Sequence, residues 1–278
     1  MKIVSKVFST ILVIAIFSCC LISCTLAGEM NGLKHYDEMK EYLKSIPQND
    51  NVVYVDASDT IYFHDKAVKT SSNIIGIIYV TDESVFYTCS EDGYAKAYKS
   101  NHDFTERTLL LSYKSVVFDI FMKDENKIFY STDVKNKVDY YVRYINENET
   151  KTLTKEEFNA CRFANDYYSV NVVKKHSGLF EIEKSFEITK KSNGETKYID
   201  DNFLQKILEI EEAKKLNEYA DLYYMDYVLK DEQIYIVCKS SVIITVYQYD
   251  FETEEVVLID WMNMRDMTNT EIIDIYVF

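Results

Sequence analysis

The chain has 278 residues, with 46 Asp and Glu against 31 Lys and Arg, a formal net charge of −15. That excess of acid excludes DNA or RNA as a partner, because phosphate backbones need a basic patch, and it also opposes lying flat on anionic lipid. The 24 tyrosines and 15 phenylalanines, against one proline, six glycines and one tryptophan, favour strands over helices.

The first six residues carry Lys2 and Lys6 and no acid, and an apolar run follows from Val7 to Ile22. A charged start before a short apolar core is a signal-peptide layout, and the run falls short of the ~20 residues of a membrane span. Leu21-Ile22-Ser23-Cys24 at its end resembles the lipobox of bacterial lipoproteins. Cys19 is a poorer match because bulky Phe17 precedes it, and Cys20 would need a cysteine just before the cut. The resemblance implies that residues 1–23 are removed and that Cys24 carries a diacylglyceryl group and becomes the acylated N-terminus. The protein would then sit lipid-anchored on the extracytoplasmic side of the cell membrane. Two or three acyl chains hold far more firmly than one, since each buried CH₂ adds about 0.8 kcal/mol. The alternative is an uncleaved N-terminal membrane helix. Removing 1–23 takes two lysines and no acid, so the mature charge is −17. Cys89, Cys161 and Cys238, the remaining thiols, are too few and too scattered for a disulfide framework.

Residues 24–33 read as a tether. Over 34–47, Tyr36, Met39, Leu43 and Ile46 recur at helical spacing and Pro47 stops the run, which predicts a short amphipathic helix.

From residue 50 to 278 the pattern changes to strands with a period. "YVTDESVFYTCS", "FMKDENKIFYST", "RFANDYYSVNVV" and "VLKDEQIYIVCK" each place a polar turn between two apolar or aromatic stretches, with Asp82, Asp124, Asp166 and Asp231 at the turns. The first three aspartates lie 42 residues apart, and the last interval is 65. The extra residues fit a helical insertion at about 200–222, with Phe203, Ile207, Ile210 and Leu216 on one face and Asp201 or Asn202 as N-cap. The second half of each unit ("AYKSNHDFTERTLLL", "YVRYINENETKTLT", "SFEITKKSNGETKYI", "VYQYDFETEEVVLID") again gives strand, polar turn, strand. Four strands in about 42 residues is the count and period of a β-propeller blade. The final "IIDIYVF" repeats the opening strands "VFDIFMK" and "YMDYVLK", and would complete a first blade begun by "NVVYVDASDTIYFHD". The expected fold is therefore an all-β propeller of five four-stranded blades closed by the C-terminal strand, or six if residues 200–225 hide strands. Residues 50–278 thus resemble the bacterial propeller lipoproteins and secreted propellers, without a WD dipeptide, a kelch double glycine or a correctly spaced sialidase Asp-box.

No H-E-x-x-H, G-x-S-x-G, C-x-x-C or phosphate-cradling glycine loop occurs, so no catalytic residue and no cofactor is expected. His35, His64, His102 and His176 have no ligand spacing. Cys89 and Cys238 fall seven residues after their turn aspartates, where the other units have Ser131 and Val173, which reads as a small packed position. Asp119, Asp226 and Asp274 lie near the starts of equivalent innermost strands, where carboxylates at a channel mouth bind a cation or basic group, or else cap the strand entry. The expected function is a non-enzymatic binding or scaffold module for a protein, peptide or glycan. The alternative is a propeller hydrolase or lyase using acids at the channel mouth.

Overall fold

The computed structural model describes residues 36–46, 48–63, 66–70, 74–114, 117–134, 137–176, 182–220, 222, 224–264 and 272–278. The signal segment, Cys24, the tether, His35 and His64 lie outside the described residues. Among the described residues no helix is long and apolar enough to cross a membrane. The chain divides into two units, Met1–Pro47 and Gln48–Phe278.

In the first unit, α1 spans residues 36–43, and Met39, Leu43 and Ile46 are buried, as the spacing predicts.

The second unit is a five-bladed β-propeller. Its elements are β1 (Val52–Asp56), β2 (Thr60–Tyr62), β3 (Ala67–Lys69), β4 (Ile74–Val80), β5 (Val85–Glu91), β6 (Tyr94–Ser100) and β7 (Arg107–Tyr113). There follow β8 (Val117–Asp124), β9 (Lys127–Val134), β10 (Lys137–Tyr144), β11 (Glu149–Leu153), α2 (Lys155–Arg162), β12 (Tyr168–His176), β13 (Ile182–Lys190) and β14 (Thr196–Ile199). The chain ends with α3 (Asp201–Ile207), α4 (Glu211–Tyr219), β15 (Tyr224–Lys230), β16 (Gln233–Lys239), β17 (Ile243–Tyr249), β18 (Val256–Asn263) and β19 (Ile272–Val277). The antiparallel sheets are β19-β1-β2-β3, β4 to β7, β8 to β11, β12 to β14 and β15 to β18. Helices fill 201–207 and 211–219, so five blades form and not six.

Side-chain alternation along each strand builds the core between blades, because successive residues point to opposite faces. Val52 and Tyr54 pack with Val237, Val246 and Met262 of blade five, while Val53 and Val55 pack with Val85 and Tyr87 of blade two. Phe86 and Ala97 of blade two meet Met122, Ile128 and Tyr130 of blade three. Every residue of β1 is fully buried, and burying one such side chain contributes roughly 1.5–3 kcal/mol.

Blade four departs from the expected pattern. The predicted hairpin around Asp166 shrinks to one bridge, Ala164 to Ser169, with Asn165 N donating to Tyr168 O (2.9 Å) and Val170 N to Phe163 O (2.7 Å). The segment before it is α2, not a strand. Thr154 starts this helix with a capping box: Thr154 Oγ1 accepts from Glu157 N (3.1 Å) and Thr154 N donates to Glu157 Oε2 (2.7 Å). Phe158 then fills the position a strand would hold, its ring 5.2 Å from Phe121 and buried with Phe129 and Val142.

The insertion at 200–222 is two helices where the sequence suggests one. Asp200 is the N-cap, one residue before the predicted positions, accepting from Asn202 N (3.0 Å) and Phe203 N (3.3 Å). Ile210 does not share the buried face of Phe203, Ile207 and Leu216; it is the extended residue that starts α4. Phe203 packs edge-on against Tyr249 of blade five at 5.1 Å.

The ring closes through β19, which pairs antiparallel with β1 from Val52↔Val277 to Asp56↔Ile272. A buried bond backs this pairing: Tyr54 Oη donates to Asp260 Oδ2 of β18 at 2.6 Å, and Asn49 N donates to Asp260 Oδ1 at 3.2 Å. Burial, with the adjacent Asp260 charge, holds the Tyr54 pKa well above its usual range, so the hydroxyl stays a donor.

Deleting residues 271–278 is expected to expose the β19-facing edge of β1 and abolish cooperative unfolding in a thermal melt; an unchanged melt would rule out closure by β19. Tyr54→Phe leaves an oxygen of the fully buried Asp260 short of one donor. The expected loss is about 1–3 kcal/mol by urea denaturation.

Candidate functional site

The first strands of neighbouring blades approach one another, β4 against β8 and β15 against β19, and so stand innermost. Asp119, Asp226 and Asp274 are each the third residue of their strand, and Gly76 has that place in β4. Of the three acids, Asp226 stands near enough to Asp274 for its charge to act there. Asp274 is solvent-reached yet crowded: burial pushes its pKa up to about 6, the Asp226 charge adds to the rise, and the Tyr276 hydroxyl (3.1 Å) and Lys123 oppose it. The like charge of Asp226 by itself favours the protonated form. Asp226 accepts from Tyr227 N at 2.9 Å.

Asp119 has a different partner. Arg162, at the end of α2, donates to Asp119 Oδ2, and its guanidinium lies 5.8 Å from the Phe121 ring centroid. Lys123, two residues further along β8, has its pKa lowered by burial, with Arg162 lowering it and Asp274 raising it. Sequence reasoning missed both cations, because only the fold sets them beside the aspartates. Among the described residues no three His, Cys, Asp or Glu side chains are grouped as metal ligands.

The other candidates take ordinary packing roles. Cys89 and Cys238 are buried, and burial pushes their thiols up to about 11 and about 12. Ser131 is buried at the equivalent place, whereas Val173, 36 % exposed, lies in the blade that lacks a first strand among the described residues. His102 lies tilted against Phe63 with ring centroids 4.6 Å apart, and its Nε2 meets Thr81 O at 2.9 Å.

A second feature was not legible in the sequence. Four chain segments at the same end of blades four and five enclose a cleft of about 560 Å³: residues 166–168, 190–192, 232–233 and 249–252. Its apolar floor is the buried pair Tyr168 and Phe251, with ring centroids 5.5 Å apart. Asn165 holds one wall, its Oδ1 accepting from Tyr167 N (2.9 Å) and Tyr168 N (2.8 Å) and its Nδ2 donating to Asp231 O (2.7 Å). Ion pairs bridge the two blades, Lys190 to Glu252 at the cleft and Lys197 to Glu254 (2.7 Å) beyond it. Sequence reasoning placed Asp166 and Asp231 at blade turns, yet a cleft between two blades depends on how those blades pack.

No protein-family model matches the chain, and no curated protein matches it. Solved structures with a similar fold include TolB from Acinetobacter baumannii, at 14 % identity and a TM-score of 0.35, covering 76 % of this chain and 53 % of that one. The AtxE2 isopeptidase S527A variant with Astexin3-dC4 bound is 9 % identical with a TM-score of 0.35, covering 78 % of this chain and 45 % of that one. The β-propeller domain of the Trilobed protease from Pyrococcus furiosus is 9 % identical with a TM-score of 0.33, covering 77 % and 82 %. The chain spans about half the length of the first two proteins. The blade count rests on the strand pairing above.

The Asp274 carboxyl gives a pH signature. Its folded pKa, about 6, lies above the ~3.9 of an unfolded aspartate, so folding favours the protonated form. That contribution is complete below pH ~4 and is lost as pH rises through about 6. Asp274→Asn is therefore expected to gain stability relative to wild type between pH 4 and pH 7 in thermal melts. Parallel curves for the two proteins would remove the assignment.

Proposed function

We propose that the chain is a lipid-anchored, extracytoplasmic binding module that uses a propeller face, and not a catalytic centre, to hold a protein, peptide or glycan. The observation that carries this reading is the cleft of about 560 Å³ between blades four and five. Its volume falls in the ~300–1,000 Å³ range of ligand sites, and it combines an apolar aromatic floor with a polar rim. The anchor rests on Leu21-Ile22-Ser23-Cys24 and the apolar run before it. A tether of residues 24–33 would then hold the propeller off the bilayer surface. Asp119 of the inner strands supports binding over hydrolysis, since Arg162 already neutralises it.

A photo-reactive benzoylphenylalanine in place of Tyr167 tests both parts at once. In intact cells the wild-type anchor is expected to give a defined cross-linked adduct in the membrane fraction. The same probe at Glu83, in blade two, should give none. Cys24→Ala should release the adduct from the membrane and block incorporation of labelled fatty acid. Equal cross-linking from both positions would exclude the cleft, and fatty acid entering the Cys24→Ala protein would exclude the anchor.

A further inference from the structure

The chemistry of the cleft identifies its ligand class, an inference that rests on the binding reading above. Its rim carries four carboxylates, Asp166, Glu232, Asp250 and Glu252, and two lysines. Both lysines are already engaged, Lys190 with Glu252 and Lys191 with the main-chain oxygen of Asn165. Asp250 accepts from Glu252 N (2.9 Å) and Thr253 N (2.7 Å), and the Thr253 contacts foremost hold its pKa below the usual carboxylate range. The Asp166 and Glu232 side chains are exposed and form no ion pair among the described residues, while the Glu232 main-chain oxygen accepts from Tyr168 Oη (3.3 Å). The rim therefore carries four carboxylates against two lysines, with the Lys190 charge shared among Glu252, Asp250 and Glu232, beside a floor of two buried rings.

Tyr167 completes the site. Its ring is 42 % exposed while its backbone is fixed at both ends, by Asn165 and by Lys191 N donating to Tyr167 O at 2.8 Å. A rigid, half-exposed aromatic face beside carboxylates suits a planar guanidinium, which stacks on the ring and donates to the acids. The methylene stem of the same side chain can lie on Tyr168 and Phe251. A neutral sugar fits less well, because it would remove water from carboxylates without supplying a compensating charge. We propose that the cleft takes a cationic side chain, arginine first and lysine second, from an extended basic peptide segment.

Fluorescence anisotropy on the full chain in neutral detergent tests this, with fluorescein-labelled Gly-Arg-Gly-Arg-Gly as probe and the Gly-Ala-Gly-Ala-Gly peptide as control. The whole protein is acidic, so a remote double variant, Glu83→Gln with Glu106→Gln, controls for general attraction. Asp166→Asn with Glu232→Gln is expected to weaken Arg-peptide binding about tenfold or more, Tyr167→Ala by several-fold, and the remote pair by less than about twofold. Equal losses in the cleft and remote variants would overturn the proposal, as would equal binding of the alanine peptide. If a labelled neutral oligosaccharide binds instead and is lost with Tyr167→Ala, the cleft remains a binding site and the cationic assignment falls. If no probe responds to cleft substitutions, both readings fall.

Discussion

The pairing of β19 with β1 is the constraint on which the propeller depends. A small twisted sheet with two apolar faces is not stable alone, since each face needs a neighbour. The strand β1 shows the demand directly: all five of its residues are fully buried, alternate ones serving blade five and blade two. The contact with blade two is local, but the contact with blade five exists only when the two ends of the propeller meet, as Tyr54 and Asp260 do across 206 positions. Closing so long a loop costs chain entropy before any contact repays it, so the ring is expected to form and fail as one unit. The buried Tyr54–Asp260 bond adds direction to this closure, because a slip of one residue in register would strand the carboxylate without its donor.

Within that ring the repeat is broken once, and the break shapes the site. Where blade four would begin with a strand, the sequence supplies Thr154-Lys155-Glu156-Glu157, a capping box that starts a helix instead. Phe158 covers the face of blade three as a strand residue would, so the inter-blade core is preserved. The helix also delivers Arg162 to Asp119. Beyond it the chain turns through Asn165, whose side chain ties Tyr167 and Tyr168 to the turn of blade five. The substitution thus gives the inner ring a cation and the cleft a fixed wall.

The 42-residue spacing of Asp82, Asp124 and Asp166 made the blades legible, as did the likeness of "IIDIYVF" to the opening strands. Both signals are local in sequence, and propeller blades are local units. The Thr154–Glu157 spacing was equally visible, but the repeat pattern across Asp166 concealed it. Propensity and capping overrode the period there. The Asp200 cap was missed by one residue because Asp200, Asp201 and Asn202 are all suitable caps. Neither Arg162 nor the cleft could be read from spacing. Arg162 lies 43 positions from Asp119, and the cleft joins segments more than eighty residues apart across a blade boundary.

Equivalent positions in a repeat start with equivalent charge, and acids converging on one axis would repel. The inner ring escapes this in several ways. Gly76 removes the charge from blade two, Arg162 neutralises Asp119, and Lys123 opposes the crowded Asp274. Negative charge near the axis is therefore partly answered from within the chain. At the cleft four carboxylates meet two lysines, and the Asp166 and Glu232 side chains face solvent without an ion pair among the described residues. Uncompensated charge beside a fixed aromatic face is the arrangement a ligand can exploit, because the ligand supplies the cation that the chain withholds. That difference, and not the number of acids, separates the cleft from the axis and is what the proposed peptide binding rests on.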